Sequence, residues 1–236
     1  MLTVRSILYF LGIVPLTIFF SILSVLIVFL PFKRRYKIVS GWARCNIWWV
    51  KITCGLSFRL HGKENIPKEA SIIMCNHQST WETLALQFIF PPQVWVLKKE
   101  LLWIPIFGWG LATLSPIAID RNAGRKALRQ VVDQGKERLQ KGYWVTIFPE
   151  GTRIPVGQTR RYGKSGGVLA EESGAKIVPV AHNAGLFWPR NSFLKKPGVI
   201  DIFIGEAIEA EGKGADLITE EIRQWIEPMV KQLSEL

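Results

Sequence analysis

From Ser6 to Phe32 the chain runs for 27 consecutive residues without a charged side chain. A continuous helix of that length reaches about 40 Å, more than the roughly 30 Å hydrocarbon core of a bilayer. It is long enough to cross with tilt, and Gly12 and Pro15 offer places where it can kink, dip into one leaflet and return. Only Arg5 precedes the apolar run as a charge, and no small-x-small cleavage pattern follows, which argues against a secretory leader. Lys33, Arg34, Arg35 and Lys37 come immediately after, a cationic flank that belongs on the cytoplasmic side. The next segment, Ile38 to Leu56, sets Trp42, Ile47, Trp48, Trp49, Val50 and Ile52 around Arg44 and Lys51. It reads either as a second helix along the headgroups or as a buried core helix. The sequence therefore predicts a membrane anchor over residues 1–56, as one span or a two-helix hairpin, and a second unit over residues 57–236 on the cytoplasmic side.

Composition narrows the class further. An apolar fraction of 48%, a mean hydropathy of +0.17 and 10 Trp are greasy for a soluble protein and too polar for a transporter with many spans. An interfacial or singly anchored enzyme fits, since Trp favours the headgroup level. The net charge of +11 calls for an anionic partner: nucleic acid, an acidic membrane surface or a phosphate-bearing substrate. Between Lys98 and Lys164 there are 13 Lys/Arg against 5 Asp/Glu. Ten of the 27 aromatic residues stand in the predicted anchor, outside this basic stretch, a distribution that disfavours nucleic acid. Cys45, Cys54 and Cys75 are odd in number and lack metal-ligand spacing, as expected of reduced, buried thiols.

After Ser57, short β-rich apolar runs alternate with helical patterns, the signature of an α/β domain. Strands are predicted at Ser71–Cys75, Gln93–Leu97, Pro116–Asp120, Tyr143–Phe148, Lys176–Ala181 and Val199–Ile204. Helices are predicted over Gly124–Lys141, where Leu128, Val131, Val132, Gly135 and Leu139 share a face, over Gly167–Glu172, and over Asp216–Leu236, with Pro228 as a kink or break. The fold class is α/β: one domain with a mixed sheet flanked by helices, preceded by the hydrophobic helical anchor.

Two segments carry chemistry. Asn76-His77-Gln78-Ser79-Thr80-Trp81-Glu82 directly follows the first predicted strand, at the carboxyl end where α/β sheets place ligands. A carboxylate five residues after a histidine, about one helical turn on, accepts from Nδ1–H, fixes the tautomer and leaves Nε2 free to take a proton. This is the histidine–acid portion of a triad without a protein nucleophile. On its own His-x4-Glu is more often a cap than a catalyst, and neither His61 nor His182 stands at metal-ligand spacing from it. The second segment, Phe148-Pro149-Glu150-Gly151-Thr152-Arg153, ends another predicted strand. Pro149 stops sheet pairing, Gly151 frees the backbone, and Arg153 presents a planar fork suited to phosphate oxygens. Gly163-Lys164-Ser165 imitates the end of a phosphate loop, but the first required glycine is Gln158, which removes that reading.

Together with Ile119-Asp120-Arg121 and Ile177-Val178-Pro179-Val180, these segments resemble the four ordered blocks of the glycerolipid acyltransferase family, in the pattern of its bacterial 1-acylglycerol-3-phosphate acyltransferases. The blocks cover Asn76 to Val180, and Val94–Gly108 is also similar. One position departs from the family, whose histidine is usually followed by aspartate rather than Glu82. The resemblance implies transfer of a fatty acyl group from an acyl thioester, on coenzyme A or acyl carrier protein, to the 2-hydroxyl of lysophosphatidic acid at the bacterial inner membrane. It implies no metal and no cofactor beyond the thioester co-substrate. His77 would be the general base and Glu82 its orienter. Arg121, Glu150, Gly151, Thr152 and Arg153 would shape the glycerol phosphate site, with Lys98, or Lys99 in its place, near the phosphate. Val178, Pro179 and Val180 would line an acyl channel or form an ordinary buried strand. Backbone N–H groups near Gly151 or at the helix after His77 are candidates for an oxyanion hole. Other lyso-lipid acceptors, or a non-catalytic protein binding anionic membrane phospholipids, are the alternatives.

Overall fold

The structure is a computed structural model and describes residues 1–120 and 123–235. Seven strands form one sheet: β1 (Leu56–His61), β2 (Ile72–Cys75), β3 (Gln93–Lys98), β4 (Ile117–Ile119), β5 (Trp144–Ile147), β6 (Ile177–His182) and β7 (Gly198–Ile204), in the order β1-β7-β6-β2-β5-β3-β4. Every neighbouring pair is parallel except β6 and β7, so the sheet is mixed. The central β2 is buried on both faces, as its unbroken Ile72-Ile73-Met74-Cys75 run requires. Successive side chains enter opposite layers: Ile73 and Cys75 join one core, Ile72 and Met74 the other.

The first layer holds α3 (Gly41–Cys54) and α4 (Trp81–Ile89), which bury Val50, Cys54, Trp81 and Leu84 against the sheet. The second holds α6 (Arg125–Gln140), α7 (Ser165–Ser173) and α9 (Ala215–Ser234); the short α8 (Ala184–Phe187) follows β6. In α9, Ile218, Ile222 and Ile226 recur every four residues and are fully buried, each contributing about 1.5–3 kcal/mol of burial free energy. Pro228 neither breaks nor ends α9, which stays helical through it. Gly135 of α6 lies where a Cβ would come 2.6 Å from the Leu169 side chain, so the glycine permits close packing of α6 on α7.

At the N-terminus, α1 (Leu2–Leu26) is a single helix with Pro15 inside it, followed by α2 (Phe32–Val39) and α3 running back antiparallel to it. The seam is polar and small: Trp42 Nε1 donates to Thr17 Oγ1 at 3.0 Å, Tyr9 pairs with Asn46, and Gly12 leaves room for the Trp49 ring. Ser21 and Ser24 pack on Gly110 of the short α5 (Phe107–Ala112). The opposite face, including Leu8, Leu11, Val14, Phe19, Ile22 and Leu26, is exposed and apolar. That distribution inverts the usual pattern of a water-facing helix.

Two expectations do not hold. The segment Ile38–Leu56 is not one helix: it is the end of α2, then α3, and Gly55 in a left-handed conformation (φ +69°) stops α3 so that Leu56 opens β1. On α3, one face is core and the other exposes Trp48 and Ile52. Arg35 is no part of an exposed cationic flank. It is buried, and its Nη1 donates to the Val28 and Leu30 carbonyls at 2.6 and 2.7 Å, satisfying acceptors just past the end of α1.

Candidate active site

The site forms where the carboxyl ends of β2, β5 and β6 meet. After Cys75 the chain leaves the sheet, and Asn76 clamps β2 to β6: its Nδ2 donates to the His182 carbonyl and its Oδ1 accepts the His182 N–H, both at 3.0 Å. His77 follows. The Pro149–Ile154 loop after β5 fixes both of its backbone polar groups, since the His77 N–H donates to Glu150 Oε1 at 3.3 Å and the Ile154 N–H donates to the His77 carbonyl at 2.7 Å. The ring stacks on Phe148 with centroids 3.9 Å apart. The two sequence motifs are thus one structural unit.

Glu82, in the first turn of α4, reaches His77 despite the extra methylene. Its Oε1 lies 2.8 Å from Nδ1 and also accepts the Gln78 and Ser79 N–H groups at 3.1 and 2.9 Å. The side chain is 0% exposed. Burial alone pushes its carboxyl up, but His182, His77 and the Ser79 N–H outweigh that and hold Glu82 below the usual glutamate range. A buried carboxylate so held orients the ring and stabilises an imidazolium, while Nε2 stays available.

His77 lines a cavity of about 360 Å³ between the sheet and the N-terminal helices. Thr17, Phe20, Ser21 and Ser24 of α1 form one wall, and Trp42, Trp95, Phe107 and Leu114 extend the apolar surface. Arg153 and Lys98 supply its positive charge, and neither has an acidic partner among the described residues. The volume lies within the range of small-molecule sites.

The other predicted residues fall in different places. Glu150 turns toward the His77 backbone and lines a second cavity behind the loop, not the one holding Arg153. Burial pushes its carboxyl up to about 7, against hydrogen bonds from its own and the His77 N–H. Gly151 has φ +68°, a conformation that justifies glycine, and Thr152 is half-buried in the same turn. Lys99 is tied to Asp120 at 2.7 Å, so Lys98 is the lysine that reaches the cavity. Arg121 lies outside the described residues. Val178, Pro179 and Val180 are buried in the sheet and line neither of these two cavities. The N–H groups of Gln78 and Ser79 are spent on Glu82 and that of Gly151 on the Phe148 carbonyl at 3.0 Å, so these three are not open oxyanion donors.

One residue escaped the sequence reading. His182, at the end of β6, has no sequence spacing that links it to His77, yet its Nε2 lies 3.8 Å from Glu82 Oε2.

Comparison with known proteins gives the arrangement a context. A family model described as Acyltransferase matches residues 57–183. A Pseudomonas aeruginosa protein named 1-acyl-sn-glycerol-3-phosphate acyltransferase is 43% identical, over 98% of this chain and 92% of its own. A Saccharomyces cerevisiae protein of the same name is 31% identical, over 82% of this chain and 65% of its own. The crystal structure of a 1-acyl-sn-glycerophosphate (LPA) acyltransferase from Thermotoga maritima matches with a TM-score of 0.81, covering 97% of this chain and 94% of that one, at 21% identity. That likeness shows a shared fold.

Proposed function

The chain belongs to the acyltransferase family, and from that premise we propose that it moves a fatty acyl group from an acyl thioester to the 2-hydroxyl of 1-acylglycerol-3-phosphate, giving phosphatidic acid. The observation that carries this reading is the His77 ring, held at Nδ1 by a buried carboxylate and facing an apolar cavity whose cations are Arg153 and Lys98. An acceptor with a phosphate on one end and an apolar chain on the other suits both ends of such a cavity.

In the proposed reaction Nε2 of His77 takes the proton of the acceptor hydroxyl as its oxygen attacks the thioester carbonyl. The tetrahedral intermediate collapses, the carbon–sulfur bond breaks, and the thiolate recovers the proton from the imidazolium. Glu82 stabilises that imidazolium, and no acyl-enzyme forms. Arg153 and Lys98 bind the acceptor phosphate, and the resulting proximity lowers the entropic part of the barrier. The Glu150 carboxylate and the Ile154 N–H hold the His77 backbone in place.

We assign α1 to a bilayer. It is long and apolar enough to cross one, and its window of greatest hydropathy is 17% buried inside the protein. Its antiparallel packing on α3 supports a hairpin dipping into one leaflet, with Trp48, Trp103 and Trp109 exposed at headgroup level. Lys33, Arg34 and Lys37 would face the anionic cytoplasmic surface.

The test uses purified protein in phospholipid vesicles with lysophosphatidic acid and either acyl-coenzyme A or acyl carrier protein thioester. Phosphatidic acid should form with at least one donor. Lysophospholipids with larger head groups serve as competing acceptors, and turnover of these alone would refute the assigned acceptor.

A further inference from the structure

His182 is fully buried and takes no part in the mechanism above. Its surroundings fix its protonation. The Ala184 N–H donates to Nδ1 at 3.1 Å, so Nδ1 carries a lone pair and the ring proton sits on Nε2. That Nε2–H donates to the Asn76 carbonyl at 3.0 Å, and Nε2 lies 3.8 Å from Glu82 Oε2. Burial lowers the proton affinity of His182 more than Glu82 raises it, which agrees with a neutral ring.

On the other side of the contact, Glu82 is asymmetric. Oε1 receives three donors, whereas Oε2 is buried without any hydrogen-bond partner. A bare carboxylate oxygen in a dry interior is costly unless a dipole faces it. The groups around the carboxylate are His77 and Cys75 at the end of β2, Glu150 after β5, and His182 on β6. Burial keeps the Cys75 thiol protonated, and Glu150 is itself acidic, so of the neighbours on that side His182 presents the positive end of a dipole.

We propose that His182 is a positioning residue for the transfer reaction: its Nε2–H, held by the Asn76 carbonyl, faces the second oxygen of Glu82 and keeps that carboxylate aligned on His77. The inference rests on the reaction proposed above. It also gives the glutamate at position 82 a reason, because an aspartate would draw its oxygens back toward α4 and away from β6.

Two variants separate positioning from packing. In His182→Asn the side-chain oxygen stands near the place of Nδ1 and still accepts the Ala184 N–H, but nothing reaches Glu82. In His182→Gln an amide N–H stands near the place of Nε2 and restores the donor. The measurement is kcat/KM against pH for the vesicle-bound enzyme with lysophosphatidic acid and a fixed thioester. Removing the positive end of a dipole from beside the anionic carboxylate raises the proton affinity of the His77–Glu82 pair, whichever member holds the proton. His182→Asn should therefore shift the acid limb to higher pH and lower kcat/KM by about 10- to 100-fold on the acid side, the scale of lost outer partners at other sites. His182→Gln should keep the wild-type limb. An unmoved limb in His182→Asn, or a loss equal in both variants at every pH, overturns the proposal. If His182→Asn lacks a cooperative thermal transition, the limb of His182→Gln decides, and a shift there overturns it. A wild-type enzyme without transfer activity would fail earlier, as a failure of the reaction and not of this inference.

Discussion

Replacing Glu82 by aspartate tests the site at its most constrained point. The carboxylate makes three hydrogen bonds through one oxygen, to His77 Nδ1 at 2.8 Å and to the Gln78 and Ser79 N–H groups at 3.1 and 2.9 Å. Shortening the side chain by one methylene withdraws that oxygen by about one bond length, roughly 1.5 Å. None of the three contacts survives such a shift without movement of α4, which is packed through Trp81 and Leu84. Loss of the charge-assisted bond to His77 is worth about 1.5–3 kcal/mol, or roughly 10- to 150-fold in kcat/KM. The two stranded N–H groups add about 1–3 kcal/mol each to the destabilisation, and each kcal/mol lowers Tm by roughly 2–4 °C in a chain of this size. The assay pairs steady-state transfer in vesicles with a thermal melt of the same preparation. Glu82→Asp with wild-type turnover and wild-type Tm would refute the reasoning, because it would mean that the carboxylate need not stand where these bonds place it.

The remaining predictions concern the base, the phosphate, the loop and the anchor. His77→Ala should cost at least 10²- to 10⁴-fold in kcat while the protein still melts cooperatively, and a milder loss would move the proton transfer elsewhere. Arg153→Lys keeps the charge but loses the fork, so the acceptor KM should rise while the thioester KM changes little; equal effects on both would remove Arg153 from the phosphate. Glu150, with a carboxyl raised from 4.5 to about 7, binds its proton more tightly folded than unfolded, so its stabilising share is complete below pH 4.5 and vanishes as pH rises through about 7. Glu150→Gln should therefore gain Tm relative to wild type between pH 5 and pH 8, and a constant Tm difference would contradict the shift. Gly110→Val places a Cβ 2.8 Å from Ser21 Cα and 3.0 Å from Ser24 Oγ; activity should fall while the protein still pellets with membranes through a high-salt wash.

How much of this was readable beforehand depends on whether the signal was local. The six predicted strands stand within a residue or two of their observed bounds, most plainly β2, β5 and β6, whose burial on both faces makes them nearly unbroken apolar runs. β1 was missed because Arg59 and His61 interrupt it, as an edge strand paired only to β7 allows. His77 and Glu82 are legible because they stand five residues apart, close enough that Glu82 in the first turn of α4 reaches back to the loop that carries His77. His182 is not, since only the pairing of β6 with β2 sets it beside Glu82. Arg35 looked like a member of a cationic flank because sequence shows charge and not direction, and here the guanidinium turns inward onto Val28 and Leu30. Likewise Lys98 and Lys99 are equivalent on paper, and only the Asp120 contact separates them.

The same limit applies to the anchor, and it changes what the anchor is. An apolar run predicts attachment, but a tether needs no particular face toward the domain it holds. In α1 the inward face is set residue by residue: Tyr9 on Asn46, Gly12 under Trp49, Thr17 on Trp42, Ser21 and Ser24 on Gly110. Small and hydroxyl-bearing side chains allow backbones to approach closely where apolar bulk would hold them apart, the logic of helix packing inside membranes. Thr17, Phe20, Ser21 and Ser24 then serve as one wall of the cavity that His77 faces from the opposite side. In the proposed assignment of α1 to a bilayer, its outer face would lie in lipid while its inner face closes the cavity, so a lipid acceptor would pass from leaflet to base without crossing water. The anchor is therefore part of the site, and its register against α3 and α5 matters to transfer as much as its hydrophobicity matters to attachment.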